Sequence, residues 1–149
     1  MEPLPRPREL DIALSALIVF YERISPENLV LLGDLYAPDA RFKDPFNDVR
    51  GVAAIERIFR HMFENTDAPR FFVNTSVLQD RQAMLGWRFQ FGSRFGVIEI
   101  QGVTHLEFDP GAKVILHRDY WDAAEELYAK LPVIGAGVRW LSRRFAAAP

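Results

Sequence analysis

Beyond Pro69 the hydrophobic residues of this chain stop recurring every three or four positions and begin to alternate, and the alternation persists to Trp121. A period of two predicts strands over Arg70–Gln79, Gln82–Phe91, Val97–Phe108 and Lys113–Trp121. Gly92-Ser93, Gly96 and Asp109-Pro110-Gly111 supply the turns between them. Leu85, Trp87, Phe89 and Phe91 share one face of the second run. In the third, Ile98, Ile100, Thr104, Leu106 and Phe108 point one way, and Glu99, Gln101, His105 and Glu107 the other. A meander of that kind has an apolar face to bury, and something else in the chain must cover it.

The cover lies upstream. Residues 1–9 form a Pro-punctuated extended arm. The pattern then turns helical: Leu10, Leu14, Leu17, Tyr21 and Ile24 line one side, and Asp11, Ser15 and Glu22 the other. Ser25-Pro26-Glu27 reads as the cap, first residue and dipole-favoured acid of a short helix over Pro26–Leu35. A third helix fits Val52–Glu64, with Ile55, Ile58, Phe59, Met62 and Phe63 as its stripe and Glu56/Arg60 and Arg60/Glu64 as exposed pairs. Helices followed by strands make an α+β domain over residues 10–122. A strongly curved mixed or antiparallel sheet wrapped on those helices encloses a conical pocket. Residues 123–149 add a helical extension, divided at Leu131-Pro132.

Between the second and third helices lies Leu35–Gly51, LYAPDARFKDPFNDVRG. Read as a strand from Ala40, it puts Ala40, Phe42 and Asp44 on the inner face and Arg41 and Lys43 outside, until Pro45 ends the regular hydrogen bonding. Asp44 has two readings. It is a carboxylate aimed into an apolar pocket, or it caps its own turn through the N–H groups of Asn47 or Asp48.

Several function classes drop out on composition. A formal net charge of −2 gives no basic footprint for nucleic acid. The chain has no cysteine, hence no disulfide, thiolate nucleophile or Cys-ligated metal, and His61, His105 and His117 lack metal-ligand spacing. The apolar segment Leu10–Tyr21 is too short to span a bilayer and lacks a cleavage site, so a soluble, cytoplasmic protein is expected. The 12 Phe fit a large apolar interior or an apolar cavity.

The LYAPDARFKDP strand, the Gly-ended turn, the third helix and the four-stranded meander closing on RDYWD together resemble the nuclear-transport-factor-2-like superfamily, and within it the SnoaL-like proteins, over about Leu10–Asp122. The resemblance implies a cone-shaped sheet with helices packed across it. It also implies a hydrophobic small-molecule ligand, no cofactor or metal, and a homodimer formed on the outer sheet face. The superfamily includes ketosteroid isomerase, limonene epoxide hydrolase, polyketide cyclases and non-enzymatic binders, so the fold does not choose among them. Asp44 matches the isomerase base, while that enzyme's second aspartate falls on Thr104 and its tyrosine on Phe20 or Tyr21. Asp119 matches the last-strand acid of the epoxide hydrolase, whose Arg-x-Asp half falls on Arg88-Phe89-Gln90, with glutamine in place of the acid.

The expected site is therefore Asp44, His117 and Asp119 in a pocket lined by Phe20, Tyr21, Phe42, Phe59, Trp87, Phe89, Thr104, Leu106 and Trp121. It requires His117, Asp119 and Trp121 to face inward; the opposite facing brings in Arg118 and Tyr120. With the first facing, a carboxylate in apolar surroundings is a candidate general base, and a neighbouring histidine orients it or shares its proton. Cofactor-free isomerisation, cyclisation or hydrolysis is one reading of such a pocket, and a non-catalytic binding or assembly module is the other. The C-terminal helix Val133–Phe145, with Ile134, Val138, Leu141 and Phe145 as a stripe beside Arg139, Arg143 and Arg144, packs on its own domain or lies peripherally on an anionic membrane.

Overall fold

The structure is a computed structural model that describes residues 7–130 and 132–145. Helix α1 spans Pro7–Glu22 and starts at its proline, whose missing N–H costs nothing in a first turn. Its buried side carries Leu10, Leu14, Leu17, Phe20 and Tyr21. The helix expected over Pro26–Leu35 is split into a 3₁₀ turn, Glu27–Leu31, and one α-turn, α2, Leu32–Leu35. The residue before the 3₁₀ turn is Pro26, not Ser25 as the cap reading expects, and Ser25 Oγ accepts the Asn28 N–H at 3.2 Å one residue further out.

Strand β1 runs Tyr36–Lys43, starting four residues earlier than the alternation from Ala40 suggests. It is followed by β2, Asp48–Arg50, which pairs antiparallel to it with Arg41 opposite Arg50 and Lys43 opposite Asp48. Gly51 turns the chain out of β2 at a φ of +96°, a value that suits glycine, and its N–H reaches Ala40 O at 2.9 Å. Helix α3 (Val52–Asn65) follows, and its Arg60 and Glu56 pair at 2.7 Å.

The meander comprises β3 (Asp67–Gln79), β4 (Gln82–Ser93), β5 (Gly96–Phe108) and β6 (Val114–Tyr120). The six strands lie in the order β2-β1-β6-β5-β4-β3 in an open, mixed sheet, with β1 and β6 parallel and the other pairs antiparallel. Pairing shifts in β1, twice in β3 and once near the end of β5 bend the strands. The curved face closes on α1 and α3 around Leu17, Leu29, Leu32, Ile55, Leu106 and Phe108, each at most 1% exposed. Every such side chain contributes roughly 1.5–3 kcal/mol of burial.

Past the sheet, Asp122 caps α4 (Ala123–Glu126) by accepting the N–H groups of Ala124 and Glu125 at 3.0 and 3.1 Å. A 3₁₀ turn, Tyr128–Lys130, leads into α5, Pro132–Phe145. The Arg139 guanidinium donates to Ala129 O, and buried Gly135 faces the same carbonyl, where a Cβ would come within 2.6 Å. This end of α5 thus packs on the chain's own turn. The side chains of Ile134, Val138, Leu141 and Phe145 lie outside the described residues. Trp140 is exposed, with the Arg144 guanidinium over its ring. No helix among the described residues is long and apolar enough to cross a membrane.

Candidate functional site

Strands β5 and β6 pair with Thr104 opposite Asp119 and Leu106 opposite His117, so the inner-facing residues of the two strands meet side by side. His117 is 4% exposed and Asp119 keeps 18% of its side chain accessible. The last strand therefore faces His117 and Asp119 inward, while Arg118 and Tyr120 form a cation–π pair in which the tyrosine stands exposed.

A continuous hydrogen-bonded chain runs through these residues. Trp87 Nε1 donates to Thr104 Oγ1 at 2.8 Å, and Thr104 Oγ1 donates to Asp119 Oδ1 at 2.5 Å. His117 Nε2 lies 2.8 Å from the same Oδ1. On the far side of the imidazole, Nδ1 is 2.7 Å from Tyr36 Oη and 3.2 Å from Tyr21 Oη, and the two phenol oxygens are 2.5 Å apart. Burial first, with the nearby Asp119 charge adding to it, pushes both phenols well above the ordinary tyrosine range, so each keeps its proton. Two proton assignments use every donor, and the shorter contact to Nδ1 favours the one in which Tyr21 donates to Tyr36, Tyr36 to His117 Nδ1, and His117 Nε2–H to Asp119. A proton on Nδ1 would leave one of the two phenol hydroxyls without an acceptor in the cluster. The assignment directs all donors towards one carboxylate oxygen.

Both of these bonds end on Oδ1. Among the described residues Asp119 Oδ2 accepts none, and no buried side-chain oxygen or nitrogen is left without a partner, so Oδ2 is accessible. It has somewhere to point. Asp119 lines three adjoining spaces: a cavity of about 700 Å³ between α3 and the inner sheet face, a small chamber of about 30 Å³ behind it, and an open groove of about 560 Å³ at the ends of β1 and β6. Phe42, Phe59, Trp87, Phe89 and Ile100 floor the large cavity. Phe46, Asn47, Trp121 and Leu127 stand on its β1–β2 and C-terminal sides.

Asp44 also lines the large cavity and the groove, but its carboxylate is occupied. Oδ1 accepts the N–H groups of Phe46 and Asn47 at 2.8 and 2.7 Å, and the Asn47 side-chain amide reaches both oxygens at 3.1 Å. The capping reading describes these bonds, with Phe46 in place of Asp48 as the second donor. Of the other expected pocket residues, Phe42, Phe59, Trp87, Phe89 and Trp121 line the large cavity, while Tyr21 and Thr104 line the small chamber. Phe20 and Leu106 line none of these three spaces. Both are core: Phe20 packs edge-on against Tyr21 and Phe59, and Leu106 is fully buried. Arg88 and Gln90 face outward, Arg88 over the Phe72 ring and 3.7 Å from Glu99, and Gln90 2.7 Å from Glu99, so that half of an acid–arginine–acid triad is not assembled. The phenol of Tyr36 was not legible as a site residue, because Pro38 and Asp39 turn outward between it and Ala40 and break the alternation. Among the described residues no group of His, Asp or Glu is arranged to hold a metal.

The SnoaL-like domain matches residues 19–117. Among solved structures, an LEH-like epoxide hydrolase from Mycobacterium tuberculosis superposes with a TM-score of 0.68 at 14% identity, covering 99% of this chain and 100% of that one. A candidate SnoaL-like polyketide cyclase from Jannaschia sp. gives 0.70 at 12% identity over 84% and 93%. A protein with a ketosteroid isomerase-like fold from Catenulispora acidiphila, solved with trimethylamine, gives 0.68 at 14% over 80% and 93%. At such identities the likeness is one of fold. No curated protein matches in sequence.

Proposed function

We propose, from the premise that this chain belongs to the SnoaL-like domain family, that it binds a neutral, mainly apolar small molecule in the cavity beneath α3 and that Asp119 moves a proton on it. The observation that carries this reading is the division of labour within one carboxylate on the cavity wall: Oδ1 is held by Thr104 and His117, and Oδ2 accepts no hydrogen bond among the described residues. The volume of about 700 Å³ falls in the range of small-molecule sites, roughly 300–1,000 Å³. An aromatic floor suits a ring system or branched chain, and a carboxylate facing it repels anionic ligands. The base expected at Asp44 moves to Asp119, since the lone pairs of Asp44 serve its own turn. In this reading Oδ2 takes a proton from a substrate carbon or hydroxyl, or from water, and returns it to the product. His117 keeps the carboxylate oriented throughout.

The second reading, a non-catalytic binding or assembly module, draws on the outward Arg88 and Gln90, which leave the hydrolase-type triad incomplete. The expected homodimer joins either reading through the outer sheet face, where Met84, Val103 and Tyr120 stand exposed; sedimentation tests it.

The deciding experiment titrates the protein with neutral terpene epoxides, cyclic enones and aromatic polyketide esters. Tryptophan emission reports binding, and mass spectrometry follows turnover. Asp119→Asn keeps an oxygen for Thr104 and His117 but cannot accept a proton. It is expected to bind within a few-fold of wild type and to lose turnover by about 100-fold or more. Wild-type turnover in Asp119→Asn overturns the catalytic role, and no saturable binding of any neutral ligand overturns the cavity reading.

A further inference from the structure

The loop between β1 and β2 is cinched from both ends by Asp44. Its N–H donates to Asn47 O at 2.9 Å, while its carboxylate collects the N–H groups of Phe46 and Asn47 and the Asn47 amide. Pro45 fixes a further dihedral. So rigid a turn holds Phe46 outward, with 55% of its surface exposed. The ring does not stand alone. It packs edge-on against Trp121 with centroids 5.6 Å apart, and Tyr128 lies 6.3 Å away. Phe46, Trp121 and Leu127 all line the large cavity. Trp121 follows β6, and Leu127 and Tyr128 belong to the C-terminal extension, whose turn is held by the cap at Asp122 and by Arg139 bonding Ala129 O. Two separately braced segments therefore meet ring to ring where the cavity wall carries an exposed side chain, Phe46.

We infer that Phe46, Trp121 and Tyr128 form an aromatic portal, and that Asp44 is its positioning residue: by pinning the 44–47 loop it holds the Phe46 leaf shut and sets the rate of ligand entry and exit. The inference uses the cavity of the proposed function and adds a task for an aspartate that performs no chemistry. It also separates two roles that one substitution distinguishes. An asparagine at position 44 can still accept the Phe46 and Asn47 N–H groups through its side-chain oxygen, and an alanine cannot.

The test is stopped-flow binding of N-phenyl-1-naphthylamine, a neutral fluorescent probe, to the full chain and to Asp44→Ala, Asp44→Asn, Phe46→Ala and the double variant Asp44→Ala/Phe46→Ala. Loss of the cap is expected to raise association and dissociation rates together by about tenfold, with the dissociation constant changed less than about threefold. Phe46→Ala, an exposed position that keeps the test alive if Asp44→Ala folds poorly, should do the same. The double variant should be no faster than Phe46→Ala, because Asp44 acts through that ring. Asp44→Asn should stay within about twofold of wild type. Wild-type rates in both Asp44→Ala and Phe46→Ala overturn the portal, and a double variant faster than Phe46→Ala overturns the action of Asp44 through it. An Asp44→Asn variant that binds normally but loses turnover on a substrate the wild type converts makes Asp44 the base and overturns the positioning role. Absence of saturable probe binding by the wild type overturns the cavity reading itself, a result distinct from binding with unaltered rates.

Discussion

Replacing Thr104 by valine removes one hydroxyl and nearly nothing else, yet that hydroxyl sits between two functional groups. It accepts from Trp87 Nε1 at 2.8 Å and donates to Asp119 Oδ1 at 2.5 Å. Thr104 is 3% exposed and Trp87 7%, so water has poor access to the orphaned indole N–H, and its desolvation costs about 1–3 kcal/mol. The lost bond to Asp119 counts for less than the full value of a charge-assisted bond, because the 18% exposure of Asp119 allows water to replace the donor. A net loss of about 2–3 kcal/mol is expected. Urea unfolding followed by tryptophan fluorescence reads this as a midpoint lowered by about 1 M or more. Thr104→Ser keeps the oxygen and should recover most of the loss. A Val variant within about 0.5 kcal/mol of wild type refutes the reasoning, since ordinary surface changes move stability that much. A Ser variant as destabilised as Val also refutes it, because serine keeps the hydroxyl that makes both bonds.

Gly102 lies opposite Trp87 across the β4–β5 pair, and a Cβ there would come within 2.6 Å of the indole ring and 3.0 Å of Tyr120 O. Gly102→Ala should cost about 1–3 kcal/mol by overpacking and drag Nε1 off Thr104, and an unchanged urea midpoint would contradict that. The phenols of Tyr21 and Tyr36, pushed up by burial, make an alkaline prediction. Their folded pKa values are raised, so their contribution is complete below the unfolded value of about 10 and is lost as pH rises above it. Stability should fall above about pH 10 by up to about 1.4 kcal/mol per pH unit for each phenol, and Tyr36→Phe should halve the slope. Denaturation midpoints that stay level through that window would sink the prediction.

What the sequence made legible followed from parity. Residues two apart on a strand share a face, which is why His117 and Asp119 fall on one face from spacing alone and why Arg88 falls opposite Trp87 and Phe89. Parity does not tell a cavity wall from solid core, and so Phe20 and Leu106 were expected in the pocket and lie in the packing instead. Nor does it give register. Thr104 meets Asp119 only because β5 and β6 pair as they do, and Tyr21 and Tyr36 reach one histidine from a helix and a distant strand. Strand β2 is three residues of mixed polarity with no alternation to read, held by pairing to β1 and by the Arg41–Asp48 fork at 2.7 and 2.9 Å. At Asp44 a strand-face rule and a local turn rule competed. Pro45 ended the strand, and the side chain bonded to the nearest N–H groups.

The buried polar chain from Tyr21 to Trp87 is costly unless every member finds a partner, because each orphaned donor in an apolar core forfeits its hydration without return. Among the described residues the chain meets that condition. Two phenols, an imidazole, a hydroxyl and an indole each find a partner, and their donors all run in one direction, towards Asp119 Oδ1. A network serving stability alone would be as well served by apolar side chains of similar volume. What such side chains cannot do is present a carboxylate oxygen at the wall of an aromatic cavity while its twin is clamped in place. Five residues from α1, β1, β4, β5 and β6 converge on one oxygen of a residue that lines the cavity, and the other oxygen accepts no hydrogen bond among the described residues.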